Sequence, residues 1–249
     1  MQNNLKTNNT IPSPDDNRDW IAESIFQSNF KLPKSLDYRG SLTTIRNQGS
    51  QGSCAAQTAA CMKEWQERQD IGYINHMSPQ FVYNNRENQA SEGMYARDVM
   101  KILSIKGCCT ELDYPYGKIE DPKEINDGTI KKAKNFKIKS YAKITTINGL
   151  KKALLINGPC YIAFPVFNNS MRMWIPKQGE KRDGGHAMTV VGYNNKGFII
   201  RNSWGRSWGD NGYCTYTYDD WGSHWEVWTT IDDTSYEIPN PPIKKCFCF

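Results

Sequence analysis

The sequence predicts an α+β fold in which a helical first half is joined to a β-rich second half. Three observations carry that expectation. From Cys54 to about Tyr73 the chain is dense in Ala, Gln, Met, Lys, Glu and Arg, good helix formers, with apolar residues at helical spacing. After residue 135 the pattern becomes short apolar or alternating runs bounded by Gly, Pro and Asn, which read as strands. The reactive side chains are also divided, a cysteine at the head of the long helix and a histidine on a strand far downstream.

Residues 1–31 open with a polar, Asn-rich arm holding Pro12 and Pro14, followed by Asp15-Asp16-Asn17-Arg18-Asp19-Trp20. Such a segment has too little apolar surface to build a core of its own. Residues 32–125 form the expected helical domain. Within it the long helix is followed by a second helix over Gln80 to Arg86, announced by Ser78-Pro79 as cap and first position. A third runs from Ala96 to Lys106 and stops at Gly107. Residues 126–232 form the expected β domain. It begins with an alternating run, Asn135 to Tyr141, and a helix from Thr146 to Ile156 broken by Asn157-Gly158-Pro159. Strands are then expected at Cys160 to Phe167, Ala187 to Tyr193, Gly197 to Asn202 and Gly212 to Tyr218. Lys131, Lys132, Lys134, Lys137 and Lys139 read as a solvated edge that discourages strand addition. Residues 233–249 are a Pro-rich tail.

The chemistry concentrates in Asn47-Gln48-Gly49-Ser50-Gln51-Gly52-Ser53-Cys54-Ala55-Ala56. A helix start leaves N–H groups unpaired and carries the positive end of the helix dipole, so a thiolate at Cys54 is stabilised there. Gly52 and its small neighbours keep the sulfur approachable. Gln48 lies six positions upstream, where its amide and the Cys54 N–H would make a two-donor oxyanion hole. His186, after Gly184-Gly185, feeds an apolar strand, and Asn202 ends the next one. A hairpin turning at Asn194-Asn195-Lys196-Gly197 brings the two side by side, as a base and the group that orients it. His76, in a polar turn, and His224, among tryptophans, read instead as surface and packing residues.

With these residues in view, the chain resembles the papain-like, cathepsin-like cysteine peptidases. The resemblance runs from Leu32-Pro33-Lys34-Ser35-Leu36-Asp37-Tyr38-Arg39 to about Asp232 and is densest in Asn202-Ser203-Trp204-Gly205-Arg206-Ser207-Trp208-Gly209-Asp210-Asn211-Gly212-Tyr213. It implies a two-domain fold, a helical left domain and a β-barrel-like right domain with the site in the cleft between them. Cys54 is then the nucleophile, His186 the base, Asn202 the orienting group and Gln48 the oxyanion donor. Trp204 would shield the pair of Asn202 and His186 from water. Gly93 falls where the family holds extended substrate through backbone groups, and Gly52, Gly185 and Trp204 complete the expected substrate-binding set. Two departures stand out: Gln51 replaces a disulfide-forming cysteine, and Ala55 replaces the aromatic that follows the nucleophile. The pattern resembles a cytosolic or microbial, bacterial-type branch of the family. The arm resembles the short leader of bacterial-type homologues, an inhibitory or folding segment across the cleft, with a surface strap as the alternative reading.

The implied activity is hydrolysis of peptide or protein substrates through a thioester, with no metal and no cofactor. Acyl transfer to an amine, as in peptide ligation, and a binding or structural homologue with a masked cleft are the alternatives. Charge sets further bounds: 31 basic and 26 acidic residues, net +5 and evenly spread, give no nucleic-acid-binding stripe. No run of ~18 apolar residues occurs, so no membrane-spanning helix is expected. The polar first ten residues do not read as a signal peptide, which favours a cytoplasmic or particle-associated location and free thiols for the eight cysteines. Cys246-Phe247-Cys248-Phe249 has the position of a prenylation box, but tail packing without modification is the expectation.

Overall fold

The computed structural model describes residues 9–26 and 31–234, so the expectation for the tail at 246–249 lies outside the described residues. Five α-helices and seven strands are described. Helix α1 spans Cys54–Ile71, α2 Pro79–Asn84, α3 Ala96–Ile105, α4 Asp127–Ala133 and α5 Ile147–Asn157. The strands are β1 Leu36–Asp37, β2 Ile138–Lys143, β3 Cys160–Val166, β4 Gly184–Tyr193, β5 Gly197–Arg201, β6 Tyr213–Thr217 and β7 Glu226–Asp232.

Helix α1 is the axle of the molecule. Every residue from Cys54 to Glu64 is buried, because α2 and α3 pack on one side and β3 and β4 on the other. Gly72, in the left-handed conformation at φ 70°, ends it. Burial reaches even Lys63, whose ammonium pairs with Glu67 at 2.7 Å and with Asp232 at the end of β7, so the charge enters the core already partnered. The shorter helices carry the caps that their sequences announce. Ser78 Oγ accepts from Phe81 N at 3.0 Å and Thr146 Oγ1 from Gly149 N at 2.9 Å.

The strands form one antiparallel sheet in the order β2-β7-β3-β4-β5-β6, with β1 paired to the end of β4. The sheet stays open, with β2 and β6 as its edges, where the sequence led us to expect a barrel-like domain. The hairpin expected between β4 and β5 is present, Tyr193 facing Phe198. Strand β4 begins earlier than expected because Gly184 and Gly185 pair with Val166 and Pro165 of β3. Helix α4 and strand β7 were not foreseen. Strand β7 joins β2 to β3, and such long-range pairing leaves little local trace.

The sheet has two differently occupied faces. One packs Phe164, Val190 and Ile200 against Leu150 and Leu154 of α5 and against Trp174. The other presents Tyr161, Ala163, Ala187 and Trp228 to the helices, packed with Ala55, Ala56, Met62, Val99 and Leu103. The second face and the head of α1 meet at the functional site.

Candidate active site

Cys54 opens α1, and no side chain caps that helix. The hydroxyl of the preceding Ser53 turns instead to Tyr116, at 2.7 Å. The sulfur lies against β4, in reach of the backbone N–H of Ala187 and of Ala55. Next along β4, His186 is fully buried, and its Nε2 donates to Asn202 Oδ1 at 2.7 Å. With that nitrogen carrying the hydrogen, Nδ1 is the basic position of the neutral ring. Asn202 follows the last residue of β5 and is fixed by Asn202 N donating to Gly212 O at 2.9 Å. Its Oδ1 also accepts from Ser203 N at 2.7 Å. Trp204 covers the pair, its ring centroid 4.4 Å from that of His186.

Gln48 reaches the site through a different set of contacts. Its backbone N–H donates to Ser203 O at 2.8 Å and its Oε1 accepts from Ser203 Oγ at 2.7 Å. Nε2 donates one hydrogen to Gln51 O at 3.0 Å, which leaves a second amide hydrogen on the same nitrogen. Tyr116, which the sequence reading missed, closes the arrangement. Its hydroxyl donates to Gln48 O at 2.8 Å and so ties the loop carrying Gln48 to Ser53, the residue before the nucleophile. Tyr114-Pro115-Tyr116-Gly117 marks a turn in the sequence, but nothing local shows where that turn docks.

The described part of the arm lies across this site. Thr10 Oγ1 is 2.9 Å from Cys54 Sγ, and Thr10 N donates to Gly185 O at 3.0 Å. On the helical side Ile11 N reaches Met94 O at 3.3 Å, and Asn9 Nδ2 donates to Glu92 Oε2 at 2.8 Å. Two of the glycines singled out from the sequence, Gly93 and Gly185, lie directly against the backbone of the arm, and Gly52 lies at its margin. A Cβ on Gly93 would stand 1.7 Å from Asn9 O, and one on Gly185 2.2 Å from Thr10 O. At Gly52 it would stand 2.7 Å from Glu92 O and 3.2 Å from Asn9 Nδ2. Further along, Asp19 pairs with Arg97 at 2.6 Å and Lys143 at 2.9 Å, and Glu23 Oε1 accepts from Thr145 N and Thr146 N at the head of α5.

The arm changes the electrostatics expected at Cys54. A cysteine at a helix start was expected to have a lowered pKa, but burial pushes the Cys54 thiol up. Its contacts with Thr10 and with the N–H groups of Ala187 and Ala55 offset only part of that cost. His76 and His224 take the structural roles expected. His76 Nδ1 lies 3.0 Å from Glu64 Oε1, and burial holds His224, in contact with Tyr216, down to about 4. The other cysteines among the described residues, Cys61, Cys108, Cys109, Cys160 and Cys214, are buried free thiols. Among the described residues no group of three His, Cys, Asp or Glu side chains is arranged to hold a metal, and no helix is long and apolar enough to cross a membrane.

A thiol at a helix head facing a buried histidine–asparagine pair across a cleft defines a cysteine-type hydrolase, and comparison with known proteins names the family. A family model described as "Papain family cysteine protease" matches residues 32–227, and the chain belongs to that family. It is similar to an uncharacterized peptidase C1-like protein of Acanthamoeba polyphaga mimivirus, 31% identical over 80% of this chain and 71% of that protein. It also resembles cysteine proteinase 3 of Entamoeba histolytica, 30% identical over 75% of this chain and 63% of that one. Mouse cathepsin K is 31% identical over 74% of this chain, which spans 59% of cathepsin K, less than two thirds of its length. Among solved structures, xylellain, a cysteine protease from Xylella fastidiosa, superposes with a TM-score of 0.80 at 26% identity, covering 92% of this chain and 97% of its own. Procathepsin L 3 of the Tenebrio molitor midgut shares the fold, with a TM-score of 0.68 at 19% identity over 83% of this chain and 72% of its own.

Proposed function

We propose that this chain hydrolyses peptide bonds through a thioester on Cys54, with His186 as base and acid, Asn202 as the group that orients the ring, and Gln48 as oxyanion donor. The observation that carries the reading is the dry His186–Asn202 pair beside a thiol at a helix head, in a cleft that already holds an extended segment of chain. In the reaction the Cys54 thiolate, paired with imidazolium His186, attacks the substrate carbonyl carbon. The second hydrogen of Gln48 Nε2 and the Cys54 N–H stabilise the oxyanion. His186 then protonates the leaving amine as the C–N bond breaks. Water, deprotonated by His186, attacks the thioester and releases a carboxylic acid and the free thiol. Asn202 keeps the ring in the tautomer that this proton traffic needs.

The arm acts as an inhibitory strap over the same cleft. At Cys54 it presents a hydroxyl, that of Thr10, instead of a scissile carbonyl, so it blocks the sulfur without being a substrate in that pose. Burial beneath it keeps the sulfur protonated and unreactive. The test has two measurements. Cys54→Ala should abolish peptide hydrolysis and alkylation by stoichiometric iodoacetamide, and a variant that still turns over would sink the assignment. Cys54 of the full chain should be alkylated more slowly than in a chain beginning at Leu32. Equal rates in two folded proteins would reduce the arm to a surface strap.

A further inference from the structure

Helix α1 turns an amide, that of Gln57, into the interior one turn beyond the nucleophile. Cys54, Gln57, Thr58 and Cys61 recur at helical spacing, so they share one face of the helix. Gln57, Thr58 and Cys61 line a small cavity whose other wall includes Thr189 of β4 and Asn202 after β5. About 10 Å³ of it is open to the centre of a water molecule, which is room for one. No residue of the arm lines this cavity, which therefore lies behind the reactive groups and apart from the cleft that the arm fills.

The polar atoms at the cavity are complementary but too far apart to pair directly. Gln57 is 4% and Asn202 2% exposed, and Gln57 Oε1, Gln57 Nε2 and Asn202 Nδ2 have no full hydrogen-bond partner among the described residues. Asn202 Oδ1 already accepts from His186 Nε2 and Ser203 N, so Nδ2 is the donor left over. The Gln57 amide lies beside the Tyr116 hydroxyl, whose hydrogen goes to Gln48 O. Toward Gln57 that oxygen only accepts, which turns Nε2 to Tyr116 and Oε1 to the cavity. Arg46 Nε, 3.8 Å from Glu64 Oε1, adds a donor whose charge is already balanced. Arg201 donates to Thr43 O at 2.9 Å and Thr44 O at 2.8 Å. A buried amide without partners is costly, so the walls call for one small neutral molecule that accepts and donates at once.

We propose that Gln57 is a positioning residue for the hydrolytic site, acting on Asn202 through a single buried water that accepts from Asn202 Nδ2 and donates to Gln57 Oε1. The inference rests on the peptidase reading above and adds a residue that reaches His186 through Asn202 without touching substrate. The Asn202 amide is then held at both ends, by Ser203 N at Oδ1 and by the water at Nδ2. The same bridge ties the head of α1 to the end of β5. While the arm is in place, Thr10 contacts both Cys54 Sγ and Gly185 O. Once residues 9–13 leave the cleft those contacts are lost, and the bridge beneath still keeps nucleophile and base in register.

The experiment uses the full chain, in which Gln57→Met keeps the volume of the side chain and removes both amide atoms. Alkylation of Cys54 by iodoacetamide is followed at about pH 6, where an ordinary thiol of pKa ~8.5 is almost wholly protonated. The rate then reports the thiolate held by imidazolium His186. No variant touches the arm, so ratios of rates do not depend on how rarely it opens. Asn202→Ala should slow alkylation about tenfold or more, and Gln57→Met about three- to tenfold, the loss of one hydrogen bond. The double variant should be no slower than Asn202→Ala, because Gln57 acts through that amide. Solvent exchange of the His186 Nε2 hydrogen, followed by NMR in a chain with three histidines, should quicken in Gln57→Met by a similar factor. In the unmodified chain a long-lived water should show cross-relaxation to the Asn202 side-chain amide, a measurement that stands even where Gln57→Met fails to fold. Absence of that water signal, unchanged rates in Gln57→Met, or the same slowing by Gln57→Met with and without Asn202 overturns the bridge. Asn202→Ala reacting as fast as the parent would instead overturn the reading of Asn202 as the group that orients His186.

Discussion

The two sides of the cleft hold their reactive groups by different means. On the β side, His186 sits in a strand that pairs with β3 at seven successive positions from Val190 to Gly184 and with β5 along its other edge. Asn202 is delivered by the end of that neighbour. Placement there is done by backbone ladders, which spread their cost over many bonds. On the helical side, Gln48 lies in a loop with neither helix nor strand of its own and depends on Ser203, Gln51 and Tyr116. Here three or four contacts carry the geometry. The difference separates chemistry from placement: on the β side a substitution reveals what a group does, on the loop side it also reveals what holds the group.

The largest effect expected from a test of this contrast is at His186. His186→Ala should lower kcat/KM by ~10⁴-fold or more while circular dichroism and thermal unfolding stay close to the parent, because the ladder does not need the imidazole. A comparable loss of sheet signal would refute the claim that the backbone alone places this residue. Next comes Tyr116→Phe, which removes one hydroxyl, and with it the link between Gln48 and Ser53, without touching substrate. We expect kcat to fall by about tenfold with KM changed far less, as for a displaced oxyanion donor. Tyr193→Phe, which deletes the 2.9 Å hydrogen bond to Pro33 O on the sheet side, is the control and should leave kcat alone. Equal losses in the two variants would erase the contrast.

The smallest effect concerns the strap. Burial by itself would raise the pKa of Asp19, but Arg97 and Lys143 outweigh it and hold the carboxyl below its usual range. A carboxylate depressed in the closed state contributes to closure above its ordinary pKa of ~3.9 and loses that contribution as pH falls through the depressed value. Cys54 of the full chain should therefore become easier to alkylate, relative to its thiolate fraction, below about pH 4. Asp19→Asn should raise the alkylation rate at neutral pH by a few-fold and remove the acid-dependent part. An acid response unchanged in Asp19→Asn would show that other groups open the strap.

Much of this was legible in the sequence because the relevant signals are local. Helix α1 announces itself through composition, α2 and α5 through Ser78-Pro79 and Thr146, and the hairpin between β4 and β5 through Asn194 to Gly197. The candidate site was legible in the same way, since Cys54, His186, Asn202 and Gln48 each sit in a distinctive glycine or tryptophan context. Strand β7 was missed because its apolar and threonine residues are explained only by β2 and β3, more than sixty positions earlier. Tyr116 was missed because a turn tyrosine becomes informative only when both of its partners, Gln48 and Ser53, are seen.

By itself the sequence determined the order of the long helices and of the central strands β3 to β6, the residues competent to act as nucleophile, base and orienting amide, and the polar character of the arm. Those follow from side-chain chemistry and short-range periodicity, which need no knowledge of distant neighbours. Tertiary structure alone decided which glycines face the arm, that Gln57 and Asn202 line one cavity, and the sense in which the Cys54 thiol is shifted. A helix start favours the thiolate and burial disfavours it. Which effect wins depends on whether Thr10, forty-four positions away, covers the sulfur.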